Sequence, residues 1–289
     1  MTIRHVFDHY VKSLTRLYDK SEAENITHWI FEERLSLSKA GLLLRENDII
    51  SEVKANDLAW KLVRLLKGEP VQYVLGGTSF YGMQLHINKN VLIPRPETEE
   101  LVDWIIKDNQ TKGPVNILDI GTGSGCMAIA LQKQLNQSTV SAIDISGEAL
   151  AVASDNAQQL EAEILFKQVD FLSLMQDNEP EAAWPANRYH IICSNPPYIP
   201  ESEQQQMPDN VVRFEPHIAL FVPDHDPLVF YKAIAAFGAK WLMPEGFIYV
   251  EMHENMTDQV SAVFYQHGYQ QLQVKTDMQG KRRMLKAGW

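Results

Sequence analysis

Cysteine is nearly absent from this chain, with only Cys126 and Cys193 in 289 residues. Each sits in an apolar segment, which fits reduced packing residues of a cytoplasmic protein and leaves no disulfide framework. The nine histidines lack ligand spacing with cysteines or acid pairs, so no metal is expected. Positive charge is in deficit as well: 26 Lys and Arg stand against 37 Asp and Glu, a net charge of −11. Affinity for nucleic acid rests on basic footprints, so no nucleic-acid partner is expected. Lys281-Arg282-Arg283 is the only three-residue basic run, and it reads as a solvated edge. The charge-free stretch from Ile120 to Gln132 is too short to span a bilayer and holds three glycines, so no membrane contact is expected. Met1-Thr2-Ile3-Arg4 leads into an amphipathic helix rather than a signal peptide. Internal repeats and low-complexity segments are lacking too.

What is present is enough apolar material for buried cores, 45% of residues, over a length that suits two domains. Ile3 to Leu17 and Ser21 to Leu35 read as amphipathic helices, the second with a capping-box match at Ser21-Glu22-Ala23-Glu24. A third, Asn56 to Lys67, is expected to stop at Gly68 as the residue after its C-cap. Short helices of this kind bury their apolar stripes on one another. Gly76-Gly77 and Tyr81-Gly82 then suggest a hairpin. Trp184-Pro185-Ala186-Asn187 and the Gln-rich stretch Glu201 to Asp209 read as loops, the second a candidate lid.

Asn195-Pro196-Pro197-Tyr198 follows the apolar run Tyr189 to Cys193. Each proline fixes its own φ and disfavours helix in the residue before it, so the turn is stiff before any ligand arrives. The Asn195 side-chain oxygen and the Pro196 carbonyl are two acceptors at one point, suited to a planar –NH2 group, and Tyr198 offers a flat face to cover it. An ordinary Asn-Pro turn after a strand is the plain alternative.

Upstream, Asn116 to Ile120 runs into Gly121-Thr122-Gly123-Ser124-Gly125, and Cys126 to Leu131 reads as the opening of a helix. Glycines let a ligand approach the main chain closely. The spacing is not that of the dinucleotide fingerprint, because Cys126 stands where a third glycine would be, and no Gly-Lys-Ser/Thr follows as in a phosphate-binding Walker loop. A second strand-like run, Thr139 to Ile143, ends at Asp144, about 20 residues past Gly121, where a doubly wound fold holds ribose hydroxyls. Asp144 could instead cap a helix, although Ser146 is better placed to do so. A third run, Ile164 to Val169, ends in Asp170-Phe171, an acid and an aromatic that can contact an adenine or can be a capping Asp beside a buried Phe. Two βαβ units of about 30 residues each fit between Gly121 and Asn195, which puts Asn195 at the tip of a fourth strand. Strands one and four adjoin at the switch point of such a sheet, so Gly121 and Asn195 are expected to face one crevice.

These residues carry a resemblance. The chain resembles class I S-adenosylmethionine-dependent methyltransferases, and more closely the HemK/PrmC family of peptide chain release factor N5-glutamine methyltransferases. The shared blocks are Gly68-Glu69-Pro70, Phe80-Tyr81-Gly82, Pro94-Arg95-Pro96-Glu97-Thr98-Glu99, the glycine turn, Asn195-Pro196-Pro197-Tyr198-Ile199-Pro200, Phe214-Glu215-Pro216, Phe230-Tyr231 and Asp277-x-x-Gly280-x-x-Arg283. Asn-Pro-Pro-Tyr is shared with adenine-N6 methyltransferases of nucleic acids, whereas the Gly-Glu-Pro and Arg-Pro-Glu-Thr blocks are more specific. Two departures, Glu251-Met252-His253 and Asp224-His225-Asp226, are expected to lie outside the crevice.

The resemblance implies an α/β fold: a Rossmann-like seven-stranded class I methyltransferase sheet with a small N-terminal helical bundle domain joined by a β-hairpin linker. The expected divisions are 1–72 for a helical substrate-recognition domain, 73–95 for the hairpin linker and 96–289 for the methyltransferase domain. It implies S-adenosyl-L-methionine as cofactor, held by Gly121, Thr122, Gly123, Ser124, Gly125, Asp144, Asp170, Phe171 and Asn195. It implies class 1 release factors as protein substrates, methylated on the glutamine of their Gly-Gly-Gln motif; a monomer in the cytoplasm is the expectation beside it. Asn195, Pro196 and Tyr198 are the expected catalytic residues, and with Pro197 they bind the substrate. Arg95 and Glu97 are open between a cofactor-side role and a linker ion pair. The alternatives are a glutamine methyltransferase of a ribosomal protein, an adenine-N6 methyltransferase of nucleic acid, and a non-catalytic cofactor-binding scaffold.

Overall fold

The computed structural model describes residues 1–176 and 188–289, so the expected loop at Trp184 to Asn187 lies outside the described residues. The chain divides into two compact units, one of residues 1–77 with 208–214 and one of residues 78–207 with 215–289.

The first unit is helical: α1 (Ile3–Leu14), α2 (Lys20–Leu35), α3 (Lys39–Leu44), α4 (Glu52–Leu66) and α5 (Val71–Leu75). Its core gathers the apolar stripes of these helices, with Tyr10, Leu14, Ile30, Phe31, Leu58 and Leu65 fully enclosed. The Tyr10 hydroxyl donates to the Leu58 carbonyl, which ties α1 to α4. The first helix stops at Leu14, short of the expected end at Leu17. The expected capping box at Ser21 is not used: Asp19 is the N-cap of α2 and accepts from the Glu22 amide at 2.9 Å. An acid just outside a Ser-x-x-Glu match satisfies the same free amides, and chain entry decides between them. Gly68 takes a φ of 85° after the C-cap Lys67, the left-handed position that glycine fills at least cost.

The second unit opens with the hairpin of β1 (Gly77–Phe80, its first residue at the end of the first unit) and β2 (Met83–His86). Its two-residue turn has φ of 48° at Tyr81 and 75° at Gly82. Positive φ at both central positions matches the twist of the flanking strands. Next come α6 (Pro96–Asn109), β3 (Asn116–Ile120), α7 (Cys126–Gln134), β4 (Thr139–Asp144), α8 (Gly147–Gln159), β5 (Ile164–Gln168), α9 (Phe171–Gln176) and β6 (Tyr189–Ser194). After β6 come β7 (Ile199–Pro200), α10 (Asp209–Phe214, grouped with the first unit), β8 (Phe221–Val222), α11 (Val229–Trp241) and β9 (Leu242–Glu251). The chain closes with α12 (Thr257–Gln266), β10 (Gln271–Thr276) and β11 (Arg282–Gly288). Glu201 to Gln206, expected as open loop, winds into a short 3-10 helix.

Seven strands form one sheet in the order β10-β11-β9-β6-β3-β4-β5, parallel except for β11, which runs antiparallel to both neighbours. The central strands are apolar on both faces because helices cover both. Leu118, Ile192, Ile248 and Val250 face a core made with α9, α11 and α12. Their neighbours Ile117, Ile191 and Tyr249 face a second core made with α6, α7 and the hairpin. Burying a side chain of this size contributes about 1.5–3 kcal/mol, so the sheet centre is the most strongly held part of the unit. The order reverses between β3 and β6, and this reversal sets the place where a ligand crevice forms.

Candidate active site

The register of the sheet brings the two motifs together. Ile120 pairs with Ser194 across β3 and β6, so Gly121 and Asn195 are the next residues out of adjacent parallel strands. The Ser194 hydroxyl donates to the Ile120 carbonyl at 2.7 Å and fixes the two strand ends side by side. Above them lies a cavity of about 330 Å³ whose walls include Gly121, Gly123, Asp144, Asp170, Phe171 and Asn195. Pro196 and Pro197 complete the wall beside Asn195. The sequence expectation that the glycine turn and the Asn-Pro-Pro turn share a crevice is therefore met by the geometry.

The glycine turn is held from below. The amides of Gly121 and Thr122 both donate to the Ile143 carbonyl at 2.9 Å. Gly121 and Gly123 have φ of 73° and 55°, and a Cβ on either would meet nothing within 4 Å. The open space at these two positions lets a ligand lie on the main chain. Gly125 is different: its Cβ would stand 3.1 Å from the Ala153 side chain, so glycine there serves the contact with α8.

The polar residues of the turn do not reach the cavity. Thr122 is buried and its hydroxyl donates to Asp119 at 2.8 Å. Ser124 is also buried, and its carbonyl accepts from Asn156. Asn156 in turn makes two bonds with the His86 backbone and pins the hairpin to the turn. Thr122, Ser124 and Gly125 are thus not among the cavity walls, unlike Gly121 and Gly123. Asp119, enclosed in the protein, has its carboxyl pushed up to about 7, chiefly by burial.

Asp144 stands at the tip of β4 and accepts from the Gly123 amide at 2.9 Å and the Ser146 amide at 3.0 Å. Burial raises its carboxyl above the ordinary value while these amides pull it down. The helix cap is Ser146, which accepts from the Ala149 amide. Asp170 accepts from the amide and the hydroxyl of Ser173, which hold its carboxyl below the ordinary value. It caps α9 and borders the cavity at once. Phe171 packs on Phe237 with centroids 5.5 Å apart and is also one of the residues that wall the cavity.

Asn195 does not stand alone. Its Nδ2 donates to the Thr98 hydroxyl at 3.1 Å, and that hydroxyl donates to Glu251 Oε2 at 2.7 Å. The Tyr198 hydroxyl donates to Glu251 Oε1 at 3.0 Å. Tyr198 is accordingly turned towards Glu251 and is not among the cavity walls, unlike Asn195, Pro196 and Pro197. Glu251, expected to lie outside the crevice, is not among the cavity walls, yet it is 1% exposed and bonds Tyr198 directly and Asn195 through Thr98, the two ends of the Asn-Pro-Pro-Tyr turn. Arg95 donates to Glu215 at 2.5 Å, and Glu215 also accepts from the Ile93 amide at 3.1 Å. This ion pair links the chain near Val91 and Leu92 to Pro216 and Ala219, all four of which wall the cavity. The charge of Glu97 falls on Glu251.

Residues 6–76 match the PrmC N-terminal domain, and residues 117–214 match a methyltransferase domain. The release factor glutamine methyltransferase of Flavobacterium psychrophilum is 36% identical over 292 residues, covering 100% of both chains. This chain belongs to the release factor glutamine methyltransferase family. A second relative of the same name, from Bacteroides thetaiotaomicron, is 39% identical over 276 residues, 96% of each chain. A solved methyltransferase from Pyrococcus furiosus shares the fold, with a TM-score of 0.51, 15% identity, and coverage of 80% of this chain and 100% of that one.

The blocks that carry the family resemblance have visible work in the structure. Glu69 of Gly-Glu-Pro pairs with Arg64, which also donates to the Tyr73 carbonyl at 3.0 Å. Thr98 of Arg-Pro-Glu-Thr meets Asn195 and Glu251, and Glu215 of Phe-Glu-Pro holds Arg95. Asp277, buried at the β10–β11 turn, pairs with Arg283 at 3.2 Å.

Proposed function

We propose that the chain transfers a methyl group from S-adenosyl-L-methionine to the side-chain amide nitrogen of the Gly-Gly-Gln glutamine in class 1 peptide chain release factors. The observation that carries the proposal is the meeting of the Asn195–Pro196 acceptors with the open glycine turn and Asp144 around one cavity. The residues suit the cofactor: bare backbone at Gly121 and Gly123, a carboxylate at the second strand tip for ribose, and Asp170 with Phe171 at the third for adenine.

The cofactor would supply an electrophilic methyl group on a sulfonium. A glutamine nitrogen is a weak nucleophile because its lone pair is delocalised into the carbonyl. Asn195 Oδ1 and the Pro196 carbonyl bind its two N–H groups and aim the nitrogen's π lobe into the cavity. Alignment of this kind is worth about 7–11 kcal/mol of barrier in favourable cases. The same two oxygens favour the charge that builds on nitrogen as the new N–C bond forms, since its hydrogens become better donors. One of those hydrogens then leaves to water, so no dedicated base is required. Pro197 keeps the turn stiff, and Tyr198 supports it from behind by its bond to Glu251.

The test is to incubate the chain with labelled cofactor and whole release factor and to map the modified residue by mass spectrometry. Label on the Gly-Gly-Gln glutamine is the expected result, and label on another residue or none ends the proposal.

We assign substrate recognition to the helical unit, a monomer being sufficient for the reaction. Val53, Trp60 and Val63 share one face of α4 by their spacing and are 80%, 62% and 44% exposed. Exposed aromatic side chains of this kind are typical anchors for a protein partner, and losing one costs about 2 kcal/mol or more. Trp60→Ser is therefore expected to raise KM for whole release factor by about tenfold or more. A short Gly-Gly-Gln peptide should be methylated as before. An equal loss on both substrates would remove the helical unit from recognition.

A further inference from the structure

We infer that Thr98 and Glu251 are positioning residues that fix which end of the Asn195 amide faces the substrate. The inference rests on the assignment of Asn195 Oδ1 as an acceptor for the glutamine nitrogen. An asparagine side chain can turn over, presenting either its oxygen or its –NH2 to the cavity with little change of shape. With –NH2 outward it would oppose the –NH2 of the substrate, donor against donor, and one of the two acceptors would be lost.

The hydrogen bonds around Asn195 exclude that arrangement. The Glu251 carboxylate can only accept, and it receives the hydroxyl hydrogens of both Thr98 and Tyr198, at 2.7 and 3.0 Å. Thr98 has a single hydroxyl hydrogen, so once that points at Glu251 its oxygen is left as an acceptor towards Asn195. The Asn195 group meeting it at 3.1 Å must then be Nδ2, and Oδ1 is left to face the cavity. The direction is set by a carboxylate that touches neither substrate nor cofactor. Thr98 is 2% and Glu251 1% exposed, so water does not compete for these bonds. Glu251 sits at the end of β9, Asn195 just past the neighbouring β6, and Thr98 in the first turn of α6, three rigid elements meeting at one point. The same carboxylate holds Tyr198, so one group orients the first and last residues of the Asn-Pro-Pro-Tyr turn. A fixed acceptor also favours a carboxamide over a carboxylate, which would place oxygen against oxygen.

Thr98→Val keeps the shape and removes the hydroxyl, so the amide loses its anchor. The expected result is a single-turnover methylation rate about 10- to 100-fold lower, with cofactor affinity by calorimetry within about threefold of wild type. Thr98→Ser restores the hydroxyl and should return the rate to within about threefold. Glu251→Gln cannot accept from both hydroxyls without also offering a donor, and it should lose rate as Thr98→Val does. In an Asn195→Ala background, Thr98→Val should cause no further loss, because the group it positions is already gone. Thr98→Ala replaces Thr98→Val should that variant not fold. The inference is overturned if the hydroxyl-free enzyme is as fast as wild type, if serine does not restore it, or if the losses simply multiply in the double variant. Full activity of Asn195→Ala alone would instead overturn the assignment of Asn195 itself.

Discussion

Asn195→Ala is expected to lower the rate of methyl transfer by about 10²–10⁴-fold while leaving affinity for S-adenosyl-L-methionine within several-fold of wild type. The asymmetry comes from the position of the residue. Asn195 is one wall of the cavity among many, and the glycine turn, Asp144, Asp170 and Phe171 would still hold the cofactor without it. Its oxygen is, however, one of two acceptors at the reacting nitrogen. With only the Pro196 carbonyl left, the amide can rotate about a single hydrogen bond, and its π lobe spends little time in line. The loss should appear in single-turnover rate rather than in KM, since alignment is gained mainly on the way to the transition state. The fold should survive, because the strand end is held independently by the Ser194 bond to Ile120. Full activity in this variant would exclude the proposed role.

How much of this site was legible in the sequence depends on the kind of signal each residue leaves. The strand ends were legible because runs that are mostly apolar and buried stop at Ile120, at Ile143 and, one residue before the strand ends at Ser194, at Cys193. The residues just past each stop therefore fall at the carboxyl edge of the sheet, and Gly121, Asp144 and Asn195 could be placed there from order alone. The direction of short side chains could not. Thr122 and Ser124 alternate with glycines and read as cofactor contacts, yet Thr122 turns inward to Asp119 and Ser124 is buried away from the cavity. Positive φ at three glycines makes the turn irregular, and periodicity says nothing about such a turn. The joining of Thr98, Asn195 and Glu251 was hidden for another reason. They lie on three elements far apart in the chain, and a hydroxyl or carboxyl met once has no pattern to betray it. Thr98 was visible only as a member of a family block and Glu251 only as the acid before an unusual Met252-His253. The cap of α2 at Asp19 rather than Ser21 shows the same limit at short range, where two acceptors compete for one set of amides.

Asp144→Ala should give the opposite pattern, with cofactor binding as the main casualty. In the proposed complex a carboxylate accepts from ribose hydroxyls, and each such charge-assisted bond is worth about 1.5–3 kcal/mol. Loss of one bond corresponds to roughly a 10- to 100-fold weaker Kd by calorimetry. The two amides already bound to Asp144, from Gly123 and Ser146, leave lone pairs free, so ribose need not displace them. They do complicate the variant, because alanine also removes the brace between the glycine turn and the β4 tip. The two effects separate when the ligand is changed as well as the protein. S-adenosylhomocysteine and its analogues lacking ribose hydroxyls should differ strongly in affinity for the wild-type chain. On the Asp144→Ala chain they should bind alike, since the carboxylate that distinguishes them is gone. A variant that merely loosens the turn would weaken both ligands and keep the difference between them. Unchanged affinity for the parent ligand would remove ribose binding from Asp144 altogether.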